Sequence, residues 1–206
     1  MKPYFIGVAG PSCAGKSYLA EHLAEKLDAA LFHLDSYYRE LDHLSLVQRA
    51  HYNFDSPEAL DSNLLLDQAR LLFSGETIAR PVYDFTTHTR TGETRELVPR
   101  PFVIVEGLFT LYWEDLRRML GTKVFVDLGE DTCLERRIER DIRERGRTRE
   151  SVLEQYATTV APMARQYVYP ARVHADIVVT GDDDIAREVE SVLHHVQRGA
   201  RAVSSS

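Results

Sequence analysis

The stretch Gly10-Pro-Ser-Cys-Ala-Gly-Lys-Ser17 constrains this chain more than any other, because it fits G-x-x-x-x-G-K-[ST] between a strand pattern and a helix pattern. Tyr4 to Ala9 reads as a short buried strand, and Leu19, Ala20, Leu23, Ala24 and Leu27 recur at helical spacing. A tight turn in that position surrounds a polyphosphate with backbone N–H groups. Gly10 and Gly15 permit the turn, and Ser12, Cys13 and Ala14 lie along it. The helix that follows turns its unpaired N–H groups and positive dipole end to the same anion. Lys16 adds a mobile full charge, and Ser17 offers a hydroxyl to Mg²⁺.

A chain of 206 residues, 44% of them hydrophobic, can bury one substantial core. The expected organisation is a single domain over residues 1–198, with a short polar tail, 199–206, that is disordered. A formal charge of −7 argues against a general nucleic-acid binder, so any anion site must be local. Cys13 and Cys133 are far apart and form no C-x-x-C pair, which suggests neither a disulfide framework nor a zinc cluster. With no run of membrane-spanning length and no leader pattern, the expected location is the cytoplasm.

Further along, Ala30 to Leu34 reads as a second strand ending in Asp35-Ser-Tyr-Tyr38, an acidic and aromatic cluster at the carboxyl edge where open α/β sheets bind ligands. Ser56-Pro57-Glu58 resembles a helix start, predicting a helix from there to about Phe73. Asp55, just before it, serves either that helix dipole or a ligand. From Thr77 to Leu97 the composition changes to Pro, Tyr, Thr, His and Arg, which suggests a polar β excursion holding Tyr83, Phe85 and His88.

Phe102 to Val105 fits a central parallel strand, and it terminates in Glu106, placed to help hold Mg²⁺ near the phosphate loop. Val124 to Leu128 repeats the strand pattern, and a helix is expected from Asp131. Between Arg136 and Arg149 seven arginines stand against three acids, an excess of four positive charges on an acidic protein. Some of these pair within the helix, as Glu139 with Arg143 would. The remainder suggest an anion-binding lid over about 136–149, with Gly146 as helix stop and hinge. A helix over Glu150 to Tyr167, a last strand over Ala175 to Thr180 and a final helix from Asp182 complete the pattern. The fold class is therefore α/β, a P-loop NTPase-type parallel sheet flanked by helices, with a small β excursion and an Arg-rich lid.

With these blocks in order, the chain resembles the uridine-cytidine kinases, P-loop small-molecule kinases, almost throughout to about Thr180. The resemblance is carried by the phosphate loop, Asp35-Ser-Tyr-Tyr38, Asn53-Phe-Asp55 and Pro81-Val-Tyr-Asp-Phe85 with His88 and Arg90. Glu106-Gly107, Arg136-Arg137 through Arg147, Gln155-Tyr156 and Ala175-Asp176-Ile177 extend it. It implies Mg²⁺ with ATP or GTP as donor and the 5′-hydroxyl of uridine or cytidine as acceptor, in pyrimidine salvage.

By the same resemblance, Asp35 is the base at that hydroxyl, Lys16 binds phosphates, and Arg140 and Arg145 lie in the lid over the transferring group. Ser17, Glu106 and Asp35 organise the metal. Asp55 and Arg137 hold the ribose, Tyr83 and His88 read the base edge, Phe54 and Phe85 pack against it, and Arg147 and Gln155 complete the nucleoside site. A homotetramer is implied as well. Cys13 stands where the family usually has Ser or Gly, Ser56 where it often has His, and Gly181 with three aspartates replaces a more usual Pro-containing, Asn-bearing segment. Two other readings stay open: a related kinase for another small hydroxyl (pantothenate, nicotinamide riboside or phosphoribulose), and a nucleotide-dependent switch.

Overall fold

A computed structural model describes residues 2–182 and 184–204. Five parallel strands form the central sheet: β1 (Tyr4–Ala9), β2 (Ala30–His33), β5 (Phe102–Glu106), β6 (Leu120–Asp127) and β7 (Ile177–Thr180). Their order is β2-β5-β1-β6-β7, and β3 (Ile78–Asp84) pairs antiparallel with β4 (Thr89–Leu97) in a separate two-stranded sheet. The helices are α1 (Lys16–Leu27), α2 (Leu46–Ala50), α3 (Ser62–Phe73), α4 (Glu114–Arg117), α5 (Glu130–Arg145), α6 (Arg149–Gln155), α7 (Ala161–Met163) and α8 (Ile185–Ser204).

The continuous apolar runs are explained by burial on both sheet faces, which leaves no polar alternation along the strands. Successive residues of one strand feed opposite cores: Phe5 and Val103 join Leu65, Ala69 and Leu72 of α3. Their neighbours Ile6 and Ile104 join Leu19 and Leu23 of α1 and Val192 and Val196 of α8. No helix among the described residues is long and apolar enough to cross a membrane.

The register sets the functional edge. Val8 pairs with Glu106 and Glu106 with His33, so three strands end level with one another. The phosphate loop leaves β1 there, and Asp35 lies in a 3₁₀ turn, Leu34–Tyr37, that leaves β2 at the same edge. Because β1 has β5 on one side and β6 on the other, this edge is where the chain reverses direction across the sheet, the usual ligand crevice of such folds.

Several boundaries differ from those expected. Pro57 opens only a 3₁₀ turn, Pro57–Ala59; the helix starts at Ser62, because Asp61 rather than Ser56 caps it by accepting from Leu64 N at 3.2 Å. Leu71 of that helix is 41% exposed, so α3 is less fully buried than its leucines suggest. β6 begins at Leu120, four residues before Val124, and β7 at Ile177, two after Ala175. The helix expected over Glu150 to Tyr167 is a helical run interrupted by π turns at Tyr156–Val160 and Ala164–Val168. α8 continues to Ser204, so the tail expected from residue 199 is helical as far as it is described; residues 205 and 206 lie outside the described ones.

Candidate active site

A cavity of about 950 Å³ opens at the carboxyl edge of the sheet. The phosphate loop forms one wall. Gly10 is at φ 150°, where a β-carbon would also run into the Val126 carbonyl, and Gly15 at φ 102° turns the chain into α1. Ser12, Cys13, Gly15, Lys16 and Ser17 line the cavity, whereas Gly10 and Ala14 lie behind it, buried, and shape the loop through their backbone. Lys16 is itself buried, with Nζ donating to Pro11 O at 2.8 Å. Burial lowers its pKa, against the opposing pull of Glu106 and Asp35.

Beside the loop lie the three residues expected at the metal. Ser17 Oγ donates to Glu106 Oε2 at 3.2 Å, and His33 Nδ1 lies 2.8 Å from Glu106 Oε1, where an imidazole N–H donates to the carboxylate. Burial works against the Glu106 charge, but the His33 hydrogen bond, Lys16 and Ser17 outweigh it and hold this carboxyl below the ordinary glutamate range. Asp35 is pushed the other way, to about 6, by burial first and then by the Glu106 charge. Two mutually repelling carboxylates, one buried and one half-buried, beside a hydroxyl are the oxygen donor set that a hard divalent cation fits.

The opposite wall is aromatic. Asn53 Oδ1 accepts from Asp55 N at 3.2 Å, a local turn that fixes the Asn53-Phe54-Asp55 block. Phe54 stacks on His88, ring centroids 5.3 Å apart, and Tyr83 meets Phe85 edge-on at 5.1 Å. The Tyr83 hydroxyl is buried and makes no hydrogen bond among the described residues. His88 sits at φ 52° in the β3–β4 turn, and burial followed by the Arg145 and Arg147 charges lowers its pKa, favouring the neutral ring. Arg90 does not reach the cavity; its Nε and Nη2 donate to Tyr38 O (2.9 Å) and Tyr37 O (3.2 Å), latching the β excursion to the Asp35 turn.

Helix α5 joins the two walls. Arg137, 5% exposed, donates to Ser12 Oγ at 3.0 Å and to Gln155 Oε1 at 3.2 Å, and lies 3.8 Å from Asp55 Oδ1. Arg147 also donates to Gln155 Oε1. Burial raises the Asp55 pKa, with Arg137 opposing. Arg145 lies over the Phe85 ring, 5.7 Å from its centroid, so this arginine touches the aromatic wall as well as facing Asp35 electrostatically.

All the residues expected at the site therefore meet around one cavity, apart from Gly10 and Ala14 behind the loop. Tyr38 and His33 are not among the residues expected at the site, and Arg136 is expected only as part of the arginine-rich segment. Tyr38 lines the cavity as the last residue of a block already noted. Arg136 Nη1 donates to Gly181 O at 2.8 Å, tying α5 to the end of β7. The position of His33 on Glu106 follows from strand register, which one sequence does not display.

A profile of the phosphoribulokinase / uridine kinase family matches residues 5–185. A uridine kinase of Chloroflexus aurantiacus is 39% identical over 203 residues, 97% of each chain. One of Lactobacillus johnsonii is 40% identical over 207 residues, covering 95% of this chain and 98% of its own. Among solved structures, phosphoribulokinase from Rhodobacter spheroides superposes with a TM-score of 0.65 at 17% identity, covering 87% of this chain and 70% of that one, a likeness of fold.

Proposed function

The chain belongs to the phosphoribulokinase / uridine kinase family, and from that premise we propose that it transfers the terminal phosphoryl group of a nucleoside triphosphate to the 5′-hydroxyl of uridine or cytidine. The observation that carries this reading is a cavity in which a half-buried carboxylate, Asp35, lies between a phosphate loop and an aromatic wall with polar edges. A pure nucleotide switch needs no such acceptor wall.

Phosphoryl transfer asks for charge neutralisation and in-line positioning more than for covalent chemistry. Lys16, Arg140 and Arg145 bring positive charge to the phosphate side, while Asp35 accepts the proton of the attacking hydroxyl. Asp55 and Arg137 hold the ribose diol. Phe54 and Phe85 pack against the base, Tyr83 and His88 present a phenol and a neutral imidazole to its edge, and Arg147 with Gln155 closes the nucleoside site. A neutral His can donate or accept, so it suits both the uracil oxygen and the cytosine amino group. Ser17, Glu106 and Asp35 would hold Mg²⁺, with ATP or GTP as donor. The ion, when bound, offsets charge on the phosphates.

The test is ADP or GDP release over a panel of acceptors. Uridine and cytidine are expected to be used comparably and adenosine and guanosine hardly at all, because a short pocket closed by Tyr83, Phe85 and His88 would admit one ring and exclude two. Deoxy analogues leave a buried Asp55 oxygen unpaired, which costs about 1–3 kcal/mol per group, or roughly 5- to 150-fold in kcat/KM. Highest kcat/KM for a purine riboside, pantothenate or nicotinamide riboside would refute the pyrimidine assignment. His88→Ala is expected to lower pyrimidine kcat/KM while triphosphate affinity, read by calorimetry, stays unchanged.

A further inference from the structure

Asp141 is fully buried on α5, yet it has no place among the residues that line the cavity. Four of those lining residues converge on its carboxylate. Arg140 donates to Oδ1 through Nε and Nη2 at 2.9 and 2.8 Å, and Arg145 Nη1 lies 3.5 Å from the same oxygen. Oδ2 faces Arg137 Nε at 3.6 Å and Arg147 Nη1 at 3.9 Å, beyond hydrogen-bonding distance, and makes no hydrogen bond among the described residues.

The main chain of the same residue closes the helix. Gly146, left-handed at φ 61°, and Arg147 both donate their N–H groups to Asp141 O. That turn brings Arg147 back toward the carboxylate, although it lies beyond the end of α5. One residue thus sets both where the lid helix stops and where its guanidinium groups gather.

We infer that Asp141 is a positioning residue, which holds Arg140 and Arg145 aimed at the transferring phosphoryl group from behind the cavity wall. Four like charges in one cavity repel, and long arginine side chains otherwise sample many rotamers. A carboxylate behind them confines both without competing for the ligand. Only one of its oxygens is hydrogen-bonded, so the guanidinium groups keep donors available to phosphate. A buried ion cluster of this kind is weak evidence of stabilisation, which leaves orientation as its physical use. The inference rests on the phosphotransfer reading but not on the identity of the acceptor.

The test compares Asp141→Asn, Arg140→Gln and the double variant, using whichever hydroxyl acceptor serves the wild type best. If that acceptor is not a pyrimidine riboside, the substrate assignment fails and this experiment runs unchanged. In Asp141→Asn, kcat is expected to fall up to about 100-fold, as for an active group misplaced by about 1 Å. Triphosphate Kd should stay the same or tighten, because the site gains one net positive charge. The double variant is expected to lose clearly less than the product of the two single losses, since Asp141 acts in part through Arg140 and only its hold on Arg145 is left to lose in the Arg140→Gln background.

In ¹⁵N-labelled protein the Arg140 Nε–H should exchange slowly in the wild type and rapidly in Asp141→Asn, a readout independent of turnover. Wild-type kcat in Asp141→Asn, multiplicative losses in the double variant, or a slow Arg140 Nε–H in both proteins would overturn the assignment. So would unfolding of both Asp141→Asn and the charge-balanced double variant, which would make the carboxylate a stability element. Unfolding of Asp141→Asn alone leaves the double variant, set against Arg140→Gln, to decide.

Discussion

Asp35→Asn is expected to lower phosphoryl transfer by about 10²–10⁴-fold, the usual range for removing a general base, while triphosphate binding is retained. Asp35 sits half-buried in the turn after β2, within electrostatic reach of Lys16 and Glu106. Its raised pKa, about 6, comes from burial and the Glu106 charge, so its carboxylate is a better proton acceptor than an exposed aspartate and is still ionised near neutrality. Asparagine keeps the shape but cannot take the proton. It also removes one negative charge from the phosphate side, which offsets the loss of one carboxylate donor to Mg²⁺, so donor affinity should change little. Steady-state turnover with calorimetric Kd for the triphosphate checks both halves, and wild-type turnover in the variant would remove Asp35 from its role.

Lys16→Ala is expected to weaken triphosphate binding by roughly 10- to 150-fold, the equivalent of a charge-assisted hydrogen bond worth about 1.5–3 kcal/mol. The cause is not only the lost contact. Lys16 is the cation that both Asp35 and Glu106 feel in this buried corner, and without it their charges face an incoming anion less opposed. Transfer should fall as well, because the same ammonium offsets charge on the reacting phosphate. Calorimetry with the non-transferring Asp35→Asn background separates binding from turnover; an unchanged Kd would show that the loop backbone alone carries the donor.

The parts legible in the sequence were those set by short-range chemistry. Tyr4–Ala9 and the loop after it are local, and the strand bounds agree residue for residue. The stop at Gly146 follows from the left-handed turn that glycine adopts freely. The start of α3 was misplaced because Pro57 and Asp61 are both sound start signals, and only the packing of the chain between them decides that the first yields a 3₁₀ turn. The π turns that follow Gln155 depend on how that run packs, which carries no sequence signature of its own.

Within the site, motif residues were found and their connections were not. Arg137 is expected at the ribose, and its partner in the phosphate loop, Ser12, is not legible in the sequence. Arg145 is expected over phosphate, and its place over the Phe85 ring is likewise not legible there. Arg90 belonged to a recognisable block but serves as a latch outside the cavity. Such links join residues far apart in the chain, through strand register and helix packing, so a linear pattern names the participants without their partners.

In the proposed reaction the cavity joins a triphosphate donor to the 5′-hydroxyl of a pyrimidine ribonucleoside. The most direct test is to incubate the protein with Mg²⁺, a triphosphate labelled at its terminal phosphorus, and uridine, and then to identify the labelled product by ³¹P NMR and mass spectrometry. The expected product is uridine 5′-monophosphate, formed in equal amount to the nucleoside diphosphate and absent with Asp35→Asn. Label recovered as inorganic phosphate at the same rate with or without uridine, or attached at the 2′ or 3′ position, would contradict it.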